Sequence, residues 1–101
     1  MPTEVRIYTM KPGRLDEFIG LFKEHIMPTC GSFGIRVHAG WRNDERNEFV
    51  WVRSYDDNET LDRYSNSPER AAYTSLTQAC IDHQEVRMVE PVVGDVPVAN
   101  A

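Results

Sequence analysis

The order of strand-like and helix-like patterns constrains the fold of this chain more than any other feature of its sequence. Apolar and polar side chains alternate, as they do in strands, over four segments: residues 4–10, 35–42, 48–55 and 85–92. Helical spacing of apolar side chains occurs between them, in residues 15–26 and 68–83. This order predicts an α+β, ferredoxin-like βαββαβ domain, with two helices on one face of a four-stranded antiparallel sheet.

Local signals mark where the helices begin and end. Pro28 is expected to kink or stop the first helix, because proline lacks an N–H and its ring clashes with the preceding turn. Ser67 followed by Pro68 is typical of an N-cap and a first helical position, so the pair predicts the start of the second long helix. A shorter helical turn is predicted over residues 60–64.

Length and charge limit the size of the domain and its partners. The 101 residues suit one domain, predicted as residues 1–92 and followed by an extended or disordered tail of residues 93–101. Because a core of this size leaves little room for a deep cavity, a sizeable ligand site is expected to need a second subunit. The net charge of -5 disfavours binding to nucleic acid or to anionic membranes. Without an apolar run near the roughly 20 residues of a membrane span, a cytoplasmic location is expected.

Alternation along the strands divides the sheet into an aliphatic face and an aromatic, charged face. The helices are expected to pack on the aliphatic face and on Trp41, that is on Val5, Ile7, Val37, Ala39, Val50, Val52, Val86 and Met88. The other face then carries Arg6, Tyr8, His38, Phe49, Trp51, Arg53, Tyr55, Glu85, Arg87 and Val89. Because its aromatic rings lack a covering layer, this face predicts a homodimer that encloses a small-molecule site between two sheets.

His38 is the histidine that alternation along the second strand puts on the aromatic face. Its ordinary pKa of about 6.5 suits proton transfer at neutral pH, which makes it the candidate general base. Tyr8 and Arg53 are the other candidate catalytic groups, since each can stabilise a developing oxyanion. The alternative is a half-exposed histidine on a strand, paired with Glu85 or with a backbone carbonyl.

Further side chains of the same face are candidate substrate-binding groups: Arg6, Phe49, Trp51, Tyr55 and Arg87. A guanidinium donates in a fixed fork that suits a carboxylate or an enolate. An aromatic ring with a hydroxyl suits a flat aromatic or polyketide-like molecule. The alternatives are a subunit interface for the tyrosines and ion pairs of the arginines with Glu48, Glu85 or Glu90.

Cysteine and histidine spacing gives no sign of a metal site. Cys30 and Cys80 are far apart and form no CxxC pair, so both are expected to be free, buried thiols. The histidines form no ligand pair, and the acidic run of residues 56–59 is expected to be a solvated loop leading into a helix. No cofactor is expected, with haem as a remote alternative.

A series of short motifs resembles the NIPSNAP family in order and spacing. The motifs are Arg6-Ile7-Tyr8-Thr9, Lys11-Pro12-Gly13, Gly40-Trp41, Asn47-Glu48, Tyr55-Asp56, and Pro68 with Tyr73. The resemblance covers about residues 4–92. It implies a dimeric α+β barrel of the ferredoxin-like kind.

The resemblance also implies a range of functions. Relatives in the wider barrel superfamily include cofactor-independent monooxygenases, isomerases, cyclases and haem-degrading enzymes. An enzyme with His38 as its base is therefore one hypothesis. The alternatives are a non-catalytic binder of a small aromatic molecule or haem, and a protein-interaction module. An enzyme or a binder needs an open cavity, whereas an interaction module is expected to have that space filled by side chains.

Overall fold

The computed structural model describes residues 1–94 and contains one antiparallel sheet. Its strands are β1 (Thr3–Met10), β2 (Arg36–Asn43), β3 (Glu48–Ser54) and β4 (Ile81–Val89). They lie in the order β2, β3, β1, β4, and each pair of neighbours is antiparallel. Helices connect β1 to β2 and β3 to β4. The predicted ferredoxin-like α+β fold is therefore confirmed.

The connection between β1 and β2 is one long helical segment. It consists of α1 (Leu15–Leu21), a π-helical turn (Phe22–Ile26) and α2 (Met27–Ser32) without a break. Pro28 lies in the first turn of α2, immediately after the π-helical turn. Proline has no N–H, so one backbone carbonyl of the preceding turn loses its helical hydrogen bond. That carbonyl belongs to the π-helical turn, whose wider geometry accommodates the missing bond. The segment therefore continues to Ser32 instead of stopping near the proline.

The connection between β3 and β4 contains α3 (Asn58–Ser65) and α4 (Pro68–Cys80). The side chain of Asp57 caps α3 by accepting a hydrogen bond from the backbone N–H of Thr60 at 2.8 Å. The side chain of Ser67 caps α4 by accepting one from the backbone N–H of Arg70 at 3.1 Å. The predicted start of α4 is therefore confirmed. The helix ends at Cys80, earlier than residue 83, because β4 begins at the next residue.

The helices cover the aromatic face of β1 and β3, so the predicted assignment of faces is wrong for these two strands, whereas the prediction that Val86 and Met88 of β4 face the helices is confirmed. The Phe22 ring centroid lies 4.7 Å from that of Phe49 and 5.0 Å from that of Trp51. Tyr8 packs edge-on against Phe18 with 5.6 Å between the ring centroids. Aromatic side chains of the helix and of the sheet thus fill the core together, and one chain covers the rings that were expected to need a second copy.

The opposite side of the sheet, called the open face below, carries the aliphatic side chains Val5, Ile7, Ala39, Trp41, Val50 and Val52. Trp41 is 55% exposed, so its predicted place in the core is wrong. The pairing of β4 with β1 puts Glu85 and Arg87 on this face, and turns Val86 and Met88 toward the helix side.

Both cysteines are buried free thiols, as predicted. Residues 90–94 follow β4 without helix or strand, and most of the predicted tail lies outside the described residues. Within residues 1–94, no helix has both the length and the apolar character needed to cross a membrane.

Candidate functional site

A cavity of about 280 Å³ lies between the aromatic face of the sheet and the helices. Its lining combines charged and aromatic side chains, among them Arg6, Tyr8, Trp51, Arg53, Tyr64, Arg70 and Tyr73. All of them belong to the same chain. One chain therefore forms a cavity of this size, and the expectation that a sizeable ligand site needs a second subunit stays a prediction.

A buried carboxylate organises the sheet side of the cavity. Glu4 is 3% exposed, and its Oε1 accepts hydrogen bonds from Arg6 Nη1 at 2.6 Å and from Arg53 Nε at 3.0 Å. Its Oε2 accepts one from the Tyr55 hydroxyl at 2.5 Å. Burial alone would raise the pKa of Glu4, but these hydrogen bonds and the two positive charges outweigh it and lower that pKa. Glu4 is thus ionised at neutral pH.

Two phenol groups near the cavity are held in the protonated form. Burial and the Glu4 carboxylate raise the pKa of Tyr55 to about 12. Burial, the neighbouring Cys30 thiol and the hydrogen bond with Tyr73 raise the pKa of Tyr64. The Tyr64 and Tyr73 hydroxyl oxygens lie 3.1 Å apart. These hydroxyls can donate or accept hydrogen bonds, but they do not supply a base at neutral pH.

Two guanidinium groups contact the indole of Trp51. The carbon at the centre of the Arg53 guanidinium lies 5.3 Å from the ring centroid, and that of Arg6 lies 5.9 Å from it. Arg6 Nε also donates to the Tyr8 hydroxyl oxygen at 2.7 Å. The Tyr8 hydroxyl accepts this bond, so its own proton is available to an acceptor in the cavity.

Trp51 lacks a hydrogen-bond partner for its indole N–H. The residue lines the cavity and is 1% exposed, yet no acceptor among residues 1–94 lies within hydrogen-bond distance of Nε1. Indole nitrogens that are buried usually find an acceptor, because burying an unpaired donor costs about 1–3 kcal/mol. Nε1 itself has almost no accessible surface, so an acceptor atom of a bound molecule would reach this donor after a movement of the neighbouring side chains.

His38 is separated from the cavity by a β-bulge. The pairing of β2 with β3 shifts between Val37 and Ala39, and His38 occupies that shift. Its Nε2 lies 2.6 Å from the hydroxyl oxygen of Ser54, on the open face. Arg53, the next residue along β3, faces the helices. The prediction that His38 shares a face with Arg53 is wrong, because alternation alone does not reveal a bulge.

Two predicted substrate-binding residues also lie apart from the cavity. Phe49 is 5% exposed and packs in the aromatic core, but it does not line the cavity. Arg87 is exposed on β4, where it forms an ion pair with Glu85 at 3.3 Å, one of the alternatives the sequence left open. Of the other candidates, Arg6, Tyr8, Trp51 and Arg53 line the cavity, and Tyr55 bonds to Glu4 behind it.

Several cavity residues were not predicted as site residues from the sequence. Glu4 stands two positions before Arg6 in β1, so alternation puts both on one face and could have indicated the pair. Arg70 and Tyr73 have helical spacing on α4, which puts them on one side of that helix. Tyr64 lies on α3, and no pattern in the sequence relates α3 to the sheet.

Solved structures of similar fold include several NIPSNAP proteins. An uncharacterised NIPSNAP domain protein from Burkholderia xenovorans superposes with a TM-score of 0.81 and 23% identity, over 91% of this chain and 95% of that one. A NIPSNAP family protein from Agrobacterium tumefaciens gives 0.81 and 16%, over 90% and 92%. An antibiotic biosynthesis monooxygenase gives 0.71 and 16%, over 92% and 100%.

Two other comparisons found nothing similar: no family model and no curated protein matches the chain. The resemblance that the sequence motifs indicate is supported by the structural neighbours along nearly the whole chain. The chain therefore has the ferredoxin-like α+β fold of the NIPSNAP-domain proteins.

Proposed function

We propose that the protein binds a small aromatic molecule in the cavity and converts it without a cofactor, as a monooxygenase or an isomerase does. The observation that carries this proposal is the unpartnered Trp51 indole N–H at the lining of a cavity of about 280 Å³. A bound acceptor atom satisfies the indole, and the aromatic lining suits a flat ring.

The open cavity favours ligand binding over the alternative of a protein-interaction module. An interaction module has no need for an internal space, because its core gains stability when side chains fill it. Here the space is bordered by guanidinium, phenol and indole groups from β1, β3, α3 and α4. Polar and aromatic groups of different elements thus converge on one partly enclosed space, as they do in small-molecule sites.

The charges at the cavity favour stabilisation of an oxyanion. Cofactor-independent oxygenation and isomerisation both pass through an enolate or a phenolate, and Arg6 and Arg53 lie where they can stabilise that charge. The Tyr8 hydroxyl can add a hydrogen bond. Glu4 is ionised but engaged by both arginines, so it is a poor base. The substrate itself must therefore be acidic, such as a phenol or an activated ketone.

Haem fits this lining less well than an organic molecule does. Haem iron is usually held by histidine, cysteine or methionine, and none of these residues lines the cavity within residues 1–94. Three lining tyrosines could serve instead, but the hydroxyls of Tyr64 and Tyr73 bond to each other and that of Tyr8 accepts a hydrogen bond from Arg6. We therefore propose chemistry that needs no haem.

We also propose a homodimer, formed through the open face instead of the aromatic face. Antiparallel sheets that face water usually carry polar side chains on that side, whereas the open face carries Trp41 and a group of aliphatic residues. A second copy packed sheet to sheet would bury them. The cavity lies on the other side of the sheet, so each subunit would keep its own site.

Calorimetric titration with naphthol and a hydroxyanthraquinone tests binding. The account predicts saturable binding to the native protein, and a loss of roughly 3- to 10-fold in affinity for Trp51→Phe, which keeps an aromatic ring but removes the donor. His38→Gln is the matched control, since His38 lies on the open face and its replacement should leave affinity unchanged. If neither compound binds, or if both variants lose affinity equally, the cavity is not the site.

Oxygen uptake and product formation with the compounds that bind separate a catalyst from a binder. The assay uses no added flavin, metal or nicotinamide. Turnover that falls in Tyr8→Phe but not in His38→Gln supports the proposed chemistry. Tight binding without turnover would favour the non-catalytic alternative.

A further inference from the structure

We infer that the cavity selects an aromatic anion, and that Arg70 of α4 is the residue that recognises its negative group. This inference rests on the proposed function, because it concerns the ligand of the same cavity. The inference specifies that the ligand is negatively charged. It also names a specificity residue, Arg70, on the helix side of the cavity, whereas Glu4 and its partners lie on the sheet side.

The charge balance of the lining supports an anionic ligand. Three arginines, Arg6, Arg53 and Arg70, line the cavity with a single carboxylate, Glu4, which leaves a formal excess of two positive charges. The whole chain carries a net charge of -5, so this excess runs against its general composition. An excess of positive charge at a partly enclosed cavity attracts a negative ligand.

Arg70 differs from the other two arginines in having no anionic partner. Arg6 and Arg53 both bind Glu4, at 2.6 Å and 3.0 Å. The Arg70 guanidinium forms no ion pair and no side-chain hydrogen bond within residues 1–94. It lies over the Tyr64 ring, with 5.8 Å between the guanidinium carbon and the ring centroid. Its donors are therefore free to bind a ligand.

The position of Arg70 suits recognition at the helix side of the cavity. Its backbone is fixed in the first turn of α4, where the Ser67 cap accepts its N–H at 3.1 Å. Tyr64 and Tyr73 also line this side. A flat ring that accepts from Trp51 on the sheet side can thus present a carboxylate or phenolate to Arg70. A guanidinium binds such a group through two parallel hydrogen bonds.

The test compares naphthoate with naphthamide, which share a ring system and differ in charge at neutral pH. Affinities are measured by titration calorimetry. Native protein should bind naphthoate more tightly than naphthamide. Arg70→Gln should weaken naphthoate binding roughly 10- to 100-fold and leave naphthamide binding unchanged. Arg70→Lys should recover part of the preference, because it restores the charge without the planar fork.

Arg63→Gln is the matched control. It removes the same charge from the neighbouring helix α3, where Arg63 is exposed and does not line the cavity. Its preference for naphthoate should equal that of the native protein. Equal binding of the two compounds to native protein, or an equal loss of both in Arg70→Gln, overturns the inference and leaves the proposed function standing. If neither compound binds while naphthol does, this inference is overturned and the proposed function stands; if naphthol also fails to bind, both are overturned.

Discussion

Glu4 is the residue on which the charged side of the cavity depends. Its carboxylate accepts hydrogen bonds from Arg6, Arg53 and Tyr55, and so joins β1 to β3 within the core. Without it, two buried guanidinium groups would lack an anion. Removing one partner of a buried ion pair typically costs about 3–5 kcal/mol, since it leaves an uncompensated charge.

Glu4→Gln should therefore lower the free energy of unfolding by about 3–5 kcal/mol, measured by urea denaturation at neutral pH. Glu48→Gln is the control, because Glu48 pairs with the exposed Arg46 at 3.7 Å and should contribute less than about 1 kcal/mol. Equal effects of the two variants would contradict the buried network.

The pH dependence of stability gives a second test of Glu4. Its pKa in the folded protein lies below the ordinary value of 4.5. The stabilisation is therefore complete above that value and is lost as the pH falls through the lower, folded-state pKa. Native protein should lose stability over this acidic range, and Glu4→Gln should lose less of it. An identical acid dependence in both proteins would show that Glu4 is not ionised in the core.

At the scale of the elements, alternation in the sequence predicted the strands and, for β1 and β3, which residues share a face. It did not predict which face the helices would cover, nor which residues of β4 lie with each face. The charges of Arg6 and Arg53 suggested a face turned toward a partner or a ligand. They are instead satisfied inside the chain by Glu4, and a sequence does not show such long-range compensation. Alternation correctly grouped the site residues of β1 and β3 on one face of the sheet. It put His38 on the wrong face, because it does not reveal the bulge in β2.

Two glycines test how closely β2 approaches the aromatic core. A Cβ at Gly40 would lie 2.9 Å from the tip of the buried Phe49 ring, whereas a Cβ at Gly20 on α1 would meet nothing within 4 Å. Gly40→Ala should destabilise the protein by about 1–3 kcal/mol. Gly20→Ala should stabilise it by about 0.5–1 kcal/mol, because alanine favours the helix. Thermal unfolding of both variants gives the comparison, and a neutral Gly40→Ala would contradict this packing.

At the scale of the whole molecule, the helices cover the aromatic face of the sheet, so the proposed dimer interface is the open face. Light scattering should give twice the monomer mass of 11.6 kDa for the native protein. Trp41→Lys should give the monomer mass, since burying an unpaired charge between two sheets costs several kcal/mol.

Leu76→Lys provides the control for that experiment. Leu76 is 53% exposed on α4, close to the exposure of Trp41, but it lies on the helix side of the molecule. Its replacement should leave the dimer intact. A monomeric native protein, or a dimer that only Leu76→Lys disrupts, would contradict an interface on the open face.

The two tryptophans of the chain can show directly whether a ligand binds between the sheet and the helices. Each gives one indole N–H signal in a proton–nitrogen correlation spectrum. Trp51 lines the cavity with an unpartnered N–H, whereas Trp41 is exposed on the open face. Titration with an aromatic ligand should shift the Trp51 signal, as its N–H gains an acceptor, and leave that of Trp41 in place. A shift of the Trp41 signal alone would contradict binding in the cavity and put the ligand on the open face.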